Sequence, residues 1–235
     1  MDSIILAGGL GTRLRSAVSN LPKCMATVAG KPFLFYLLQR LNKAKIGRVV
    51  ISVGYLHEII EKWVAENKTM FNFEIKFALE DEPLGTGGAI RLAMSKVQSS
   101  NALILNGDTL FDIDLEAFAE QHRNSSSALS VALKPMKNFD RYGNVVLENN
   151  KITIFKEKEF CADGLINGGI YLINKKNDFF NAMPEKFSFE TQTLQPAAGN
   201  KLVSGFVFDN YFIDIGIPED YARANKEFET YFVCA

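Results

Sequence analysis

The sequence is poor in cysteine, in histidine and in net charge of either sign. The three cysteines, Cys24, Cys161 and Cys234, are scattered and form no CxxC pair, which argues against a disulfide framework or a zinc site. Basic and acidic residues nearly cancel, 26 against 27, so no nucleic-acid partner is expected. No apolar run is long enough to cross a membrane, and Met1 leads directly into a strand pattern rather than a signal peptide. These absences predict a cytoplasmic protein without a membrane partner.

Hydrophobic residues are plentiful, at 47% of the 235 positions, which is enough for the core of one large domain. In the first half, apolar runs alternate with segments whose apolar residues recur at helical spacing. The predicted strands are residues 3–7, 48–53, 74–79 and 102–105, and the predicted helices fall within 33–41, 59–64 and 87–97. This alternation predicts an α/β fold with a mostly parallel central sheet flanked by helices.

After about Ser127 the pattern changes to short strands, which predicts a small antiparallel portion. These strands are residues 128–133, 144–147, 152–155 and 166–173, with a turn at 149–150, and a closing helix is expected at 218–228. No linker separates the halves. We therefore expect a single domain over 1–235, divided at about residue 125.

Glycines follow the first predicted strand in IILAGGLGTRL, residues 4–14. A dinucleotide fingerprint is disfavoured because Leu14 occupies its third glycine position and no acid ends the second strand. A P-loop is disfavoured because GK[ST] is absent. A tight turn without a ligand leaves Arg13 unexplained. The favoured interpretation is a loop whose backbone N–H groups surround a triphosphate, with Arg13 contacting the phosphates.

Three further charged residues fit phosphate chemistry. Lys23 supplies a second cation, and Asp108 and Asp214 each follow an apolar strand, where α/β sheets bind ligands. Two carboxylates in such positions suit Mg²⁺. Considered alone, Lys23 would be interpreted as a solvated surface charge, and Asp108 and Asp214 each as a residue that caps a turn. Together with the glycine loop, they favour a site for phosphoryl or nucleotidyl transfer.

The motif set resembles that of the sugar-1-phosphate nucleotidyltransferases. The matching strings are LAGGLGTRL followed by PK, then LGTGGAI (84–90), NGD (106–108), Glu157-Lys158, NGGIY (167–171) and DIGIPED (214–220). They cover nearly the whole chain in the right order. The resemblance implies a Rossmann-like domain with a small antiparallel sugar-binding portion, and the reaction of a nucleoside triphosphate with a sugar 1-phosphate to give a nucleotide sugar and pyrophosphate.

The resemblance, with the arguments above, implies a role for each of the following positions. Arg13, Lys23 and Asp108 are expected to be catalytic, and Asp108 and Asp214 to hold Mg²⁺. The expected nucleotide-binding residues are Leu6, Ala7, Gly8, Gly9, Gly11, Thr12, Glu80, Gly85, Thr86, Asn106 and Gly107. The expected sugar-phosphate residues are Tyr142, Gly143, Glu157, Lys158, Asn167 and Gly169. The first half, about 1–125, would then bind the nucleotide and the second half, about 126–235, the sugar phosphate.

Some positions stand outside these motifs. Many relatives carry proline where Cys24 stands, and we interpret this cysteine as a small space-filling residue. His57 and His122 lie in no motif and are predicted to be surface residues. The segment 191–201 is assigned no role.

The base is predicted from Glu80. Guanine presents N1–H and N2–H₂ side by side, and a carboxylate carries only acceptors, so Glu80, or Glu82 in its place, favours GTP. The alternative is that both acids are solvated loop charges. The string EPLGTGGAI also looks like that of mannose-type guanylyltransferases.

The sugar rests on resemblance alone. LNGDTLFDIDL, FDRYG, GLINGGIYL, EKFSFE and NYFIDIGIPEDY look much like D-glycero-α-D-manno-heptose 1-phosphate guanylyltransferases, short members without the C-terminal β-helix domain of longer relatives. The expected function is therefore transfer of GMP from GTP to that heptose 1-phosphate. The alternatives are transfer to mannose 1-phosphate or another hexose 1-phosphate, and a non-catalytic nucleotide-sugar sensor. The oligomeric state, monomer or dimer, is left open.

Overall fold

The computed structural model of the chain describes residues 1–9, 14, 18, 20–177 and 179–232. The strands are β1 Asp2–Leu6, β2 Thr27–Val28, β3 Lys31–Pro32, β4 Arg48–Val53, β5 Glu74–Leu79, β6 Asn101–Asn106, β7 Thr109–Phe111, β8 Leu129–Phe139, β9 Gly143–Glu148, β10 Lys151–Lys158, β11 Cys161–Asn174, β12 Val203–Val207 and β13 Phe212–Asp214. The α-helices are α1 Phe33–Lys43, α2 His57–Asn67, α3 Gly85–Met94, α4 Leu115–Asn124, α5 Gln195–Gly199 and α6 Pro218–Tyr231. Lys23–Met25 and Lys68–Met70 are 3₁₀ turns, and Glu190–Leu194 is a π-helix.

Within these described ranges, nine strands form one mixed sheet in the order β5-β4-β1-β6-β11-β8-β12-β10-β9. The first four of these strands are parallel, and β11 then pairs antiparallel with both β6 and β8. The antiparallel strands therefore extend the same sheet. At its far end, β9 also pairs with β11, so the end strands curl back towards the middle of the sheet.

Two hydrophobic layers cover the sheet because the central strands are apolar on both faces. In β1, Ile5 faces the layer built with helices α1, α2, α4 and α6, and Ile4 faces the layer built with α3 and α5. Both side chains are fully buried. Helices on both faces of a sheet with parallel strands are the arrangement that the alternating sequence pattern predicted.

The predicted α/β fold is confirmed, and several elements match closely. The strands predicted at 48–53 and 74–79 have the bounds of β4 and β5, and the predicted turn at 149–150 has positive φ at both asparagines. Strands β8 and β11 run longer than predicted. No helix in the described ranges is long and apolar enough to span a membrane.

The prediction that His122 is a surface residue is wrong. His122 is buried, with its Nδ1 2.7 Å from the hydroxyl of Ser130 in β8. Burial lowers the pKa of this histidine, so it is neutral inside the fold. His57 is partly exposed beside Glu61, as predicted.

Candidate active site

A cavity of about 310 Å³ opens at the carboxyl ends of the parallel strands. Its floor is the end of β1, and its walls come from the residues that follow β5 and β6. The lining residues are Leu6, Ala7, Gly8, Gly9, Lys23, Cys24, Glu80, Pro83, Gly85, Thr86, Ala89, Asn106, Gly107, Asp108 and Glu190. A cavity at this edge of a parallel sheet is where α/β proteins bind ligands.

Two glycines in the cavity lining allow close contacts that a side chain at either position would block. The N–H of Gly107 donates to the carbonyl of Leu6 over 3.0 Å, and a Cβ at Gly107 would lie only 2.3 Å from that oxygen. A Cβ at Gly8 would lie 2.5 Å from a carboxylate oxygen of Glu80. Glycine at these positions therefore brings the β1 end, the β6 end and Glu80 together around one space.

Glu80 is held by one hydrogen bond to each of its carboxylate oxygens. Oε1 accepts from the hydroxyl of Ser52 over 3.1 Å, and Oε2 accepts from the backbone N–H of Leu84 over 3.1 Å. Burial raises the pKa of this carboxyl, and these two hydrogen bonds oppose the rise. Glu80 is thus a fixed acceptor at one end of the cavity and not a solvated loop charge.

Lys23 contacts Asp108 beyond the end of β6, whereas Glu80 follows β5, and β4 and β1 lie between these two strands in the sheet. Lys23 therefore lies at the other end of the cavity, between the two predicted metal carboxylates. Its ammonium hydrogen-bonds to Asp108 Oδ2 and lies 3.8 Å from Asp214 Oδ1. The two acids meet because β7 and β13 pair antiparallel, with Asp214 opposite Thr109. Burial and the neighbouring charge of Asp108 raise the pKa of Asp214.

The glycines of LGTGG, residues 84–88, leave space for a segment distant in sequence to pack against them. A Cβ at Gly87 would lie 2.1 Å from the ring of Phe187, which is buried. The N–H of Gly87 donates to the carbonyl of Phe187, and the N–H of Phe187 donates to the carbonyl of Leu84. Segment 185–190 is therefore fastened along the start of α3.

These contacts position Glu190 in the cavity wall. The sequence analysis did not predict this residue. Its Oε2 accepts from the hydroxyl of Thr86 over 2.6 Å and from that of Ser188 over 3.1 Å. The Thr86 hydroxyl in turn accepts from the N–H of Phe189 over 2.9 Å. Glu190 opens a π-helix, an element that often marks functional positions. Glu190 is the last residue of EKFSFE, a string that the sequence analysis used only for the resemblance.

The predicted sugar-phosphate residues lie beside the cavity and not in its lining. Tyr142 packs its ring against Phe212 in an edge arrangement, with centroids 6.0 Å apart, and the guanidinium of Arg141 lies 5.6 Å from the Tyr142 ring. Burial and the charge of Asp214 raise the pKa of Tyr142, so its hydroxyl lies in the electrostatic field of Asp214. Lys158 is opposite Gly143 in the β9–β10 pair.

Glu157 and Lys158 are both exposed, and no contact joins either of them to Lys23 or Asp108 in the described part of the chain. Of the other predicted sugar-phosphate residues, Gly169 lies against Asn106 in the cavity lining, and Asn167 hydrogen-bonds to Gly169. Asn167 donates to the hydroxyl of Tyr171 over 2.9 Å and accepts from the N–H of Gly169 over 3.0 Å. Gly169 has φ +73°, and a Cβ there would lie 2.8 Å from the amide nitrogen of Asn106.

The cavity thus collects every described residue predicted to bind the nucleotide, together with Lys23 and Asp108. Gly11, Thr12 and Arg13 lie outside the described residues. Cys24 is almost fully buried in the core, and burial raises the pKa of its thiol to about 12, which supports a packing role. The Nucleotidyl transferase family matches residues 2–230 of this sequence.

The chain belongs to this nucleotidyl transferase family. It is 48% identical to the D-glycero-alpha-D-manno-heptose 1-phosphate guanylyltransferase of Aneurinibacillus thermoaerophilus, over 98% of this chain and 100% of that protein. It is 46% identical to the enzyme of the same name from Campylobacter jejuni, over 94% and 97%. Among solved structures, it is similar to HddC from Yersinia pseudotuberculosis complexed with GMP-PN, with TM-score 0.85, 36% identity and coverage of 97% and 99%.

These similarities span the nucleotidyl transferase from end to end, so the relatives share both the parallel half and the antiparallel half of the sheet. The cavity and the carboxylates beside it consequently lie within the part of the chain that these similarities cover.

Proposed function

We propose that this protein transfers GMP from GTP to D-glycero-α-D-manno-heptose 1-phosphate, releasing pyrophosphate and forming GDP-heptose. Two relatives with that name match it at 48% and 46% identity over nearly their whole length. The observation that carries the proposal is the two-ended cavity. A fixed acceptor, Glu80, lies at one end, and the cation Lys23 with Asp108 lies at the other.

The acceptor count at Glu80 favours guanine. An ionised carboxylate has about four lone-pair positions, two on each oxygen. Ser52 and Leu84 each use one, on different oxygens. One position therefore remains on each oxygen, which matches the adjacent N1–H and N2–H₂ donors of guanine. Uracil and thymine present a donor between two acceptors and cannot use both positions.

The reaction brings two anions together, so the work of the site is positioning and charge neutralisation. An oxygen of the sugar 1-phosphate attacks the α-phosphorus in line, the bond from the α-phosphorus to the bridging oxygen breaks, and pyrophosphate leaves opposite. We assign Lys23 to the α-phosphate and the incoming phosphate. Arg13 follows the glycine loop in sequence, and we assign it to the leaving pyrophosphate.

Asp108 and Asp214 fit a divalent cation, and we propose Mg²⁺. Their side chains offer only oxygen donors, which Mg²⁺ prefers. Asp108 lines the cavity, and Asp214 Oδ1 lies 3.8 Å from the ammonium of Lys23, another lining residue. When bound, such an ion supplies positive charge for the triphosphate. Asp214 is half-buried beside Asp108, and Lys23 supplies only one positive charge for these two carboxylates, so the remaining negative charge is a second reason to expect a cation there.

We assign the sugar phosphate to the second half of the chain. Tyr142, Gly143, Glu157, Lys158, Asn167 and Gly169 all belong to β8–β11 or their connections, on the side of the sheet that adjoins β6. Lys158 would bind the phosphate, and Glu157 would accept from sugar hydroxyls. In this division residues 1–125 bind the nucleotide and residues 126–235 the sugar phosphate, within a single domain.

Pyrophosphate release with GTP, Mg²⁺ and a panel of sugar 1-phosphates tests the proposal. The heptose should be preferred over mannose, glucose and N-acetylglucosamine 1-phosphates. Asp108→Asn should abolish most turnover, whereas Lys134→Met, which removes the exposed ion pair with Asp209, should leave it near wild type. Release with mannose 1-phosphate alone would favour a mannose-1-phosphate guanylyltransferase. No release with any sugar would contradict the proposal.

A further inference from the structure

We propose that the Lys23 ammonium and a divalent cation compete for Asp108 and Asp214, so that Lys23 has to leave the carboxylate pair for the cation to bind. Without a cation, Lys23 is the resident counter-ion. Its Nζ hydrogen-bonds to Asp108 Oδ2 and lies 3.8 Å from Asp214 Oδ1, with only 15% of the lysine side chain exposed.

The surroundings leave little room for a second cation beside the ammonium. A Cβ at Gly216 would lie 2.8 Å from Asp214 Oδ1 and 3.1 Å from Lys23 Nζ, so backbone closes this side of the pair. The N–H of Gly216 also donates to Asp214 Oδ1 over 2.6 Å, which fixes that oxygen. The hydroxyl of Thr109 donates to Asp108 Oδ1 over 3.1 Å. Each carboxylate thus has one oxygen held by a neighbouring donor, and the ammonium is the group that moves.

The ammonium of Lys23 can move while the backbone of this residue stays in place. Lys23 begins a 3₁₀ turn whose next two residues, Cys24 and Met25, are buried in the core. That packing anchors the backbone while the long side chain keeps its rotatable bonds. Once displaced, the ammonium stays within reach of the same cavity, whose lining includes Lys23.

The charge balance sets the direction of the competition. Two carboxylates and one ammonium leave a net charge of about −1, and in the described part of the chain no third acid, cysteine or histidine completes a metal cluster with them. A divalent cation placed at the pair would meet the ammonium at close range and be repelled. The protein alone should therefore bind such a cation weakly, and removing the lysine charge should strengthen binding even though it harms catalysis.

Electron paramagnetic resonance of free Mn²⁺ measures this directly, with purified full-length protein and no nucleotide. Wild type should bind weakly. Lys23→Met should bind Mn²⁺ on the order of 30-fold tighter, because in the wild type the cation has to replace the attraction of the ammonium to two carboxylates about 4 Å away in water. Lys23→Arg, which keeps the charge, should stay weak. In a Lys23→Met/Asp214→Asn double variant the gain should disappear.

Three results would overturn the proposal. They are equal Mn²⁺ affinity in wild type and Lys23→Met, the same gain in the matched control Lys134→Met, and a gain that persists in the double variant. Circular dichroism confirms that each variant is folded, and Lys23→Gln, which also removes the charge, takes the place of Lys23→Met if that variant is unstable. The inference rests on the proposed function only for the identity of the carboxylate pair as a metal site. Because no GTP or sugar is added, a failure in pyrophosphate release and a failure here are distinguishable.

Discussion

Replacing Glu80 by glutamine should weaken the use of GTP without unfolding the protein. Glutamine can keep both existing contacts, with its amide nitrogen towards the Ser52 hydroxyl and its oxygen towards the Leu84 N–H. Guanine then meets one acceptor and one donor instead of two acceptors. The loss of one hydrogen bond to a charged group is worth about 1.5–3 kcal/mol, which is roughly 10- to 150-fold in kcat/KM.

The assay is pyrophosphate release at saturating sugar 1-phosphate with GTP varied, and Glu82→Gln is the matched control. Glu82 undergoes the same chemical change two residues away, on an exposed side chain. We expect a fall for Glu80→Gln and none for Glu82→Gln. An unchanged kcat/KM in Glu80→Gln would refute the acceptor argument, and a fall in Glu82→Gln alone would move base recognition to that residue.

The pH dependence of GTP use provides a second readout of the same carboxylate. Burial raises the pKa of Glu80, so it takes up a proton at a higher pH than an exposed glutamate does. Protonation replaces one acceptor by a donor. The KM for GTP should therefore be low above the raised pKa and rise as the pH falls through it, and Glu80→Gln should lack this acid limb. An identical acid limb in the variant would assign it to another group.

Three further substitutions test other parts of the site. Gly87→Ala should lower the free energy of unfolding by about 1–2 kcal/mol in urea, because overpacking against the Phe187 ring exceeds the gain in helix propensity; a Phe187→Leu background should recover the loss, and no recovery would place the strain elsewhere. Glu190→Gln should keep its contact with Thr86 yet lower kcat/KM about 10-fold through its reduced charge at the cavity wall; wild-type kinetics would remove Glu190 from the site. Lys158→Met should raise the KM for the sugar 1-phosphate about 10-fold and leave that for GTP unchanged; an equal rise in both would contradict its assignment to the sugar half.

Much of the cavity follows from the sequence because strand ends are visible in it. An apolar run that stops at glycine or aspartate marks the carboxyl end of a strand, and parallel strands place those ends at one edge. Gly8, Asn106 and Asp108 were found in this way. Asp214 is predicted by the same signal, but the antiparallel pairing of β7 with β13 that brings it to Asp108 has no local signal in the sequence.

Glu190 could not be predicted because its position depends on a contact distant in sequence. Residues 185–188 have no regular secondary structure. The segment is fixed by the space at Gly87, where the Phe187 ring packs, and by the hydrogen bonds to Thr86 and Leu84. His122 is different, since a signal was available. Leu115, Phe118, Ala119 and His122 lie on one face of α4, so helical spacing alone places the histidine with the buried residues.

The sequence also does not indicate that the parallel and antiparallel strands form one continuous sheet. Alternation of strands and helices predicts the parallel half, but the register that joins β11 to β6 and β8 is set by long-range packing. That junction places Gly169 against Asn106 and so brings the antiparallel half of the sheet next to the cavity.

A one-pot competition tests the central claim most directly. The protein is given GTP, ATP, CTP, UTP and dTTP at equal concentration with D-glycero-α-D-manno-heptose 1-phosphate and Mg²⁺, and the nucleotide sugars are identified by mass spectrometry. The account predicts GDP-heptose as the dominant product, and a loss of that preference in Glu80→Gln. A dominant UDP- or dTDP-linked product from the wild-type protein would contradict the assignment of Glu80 to guanine.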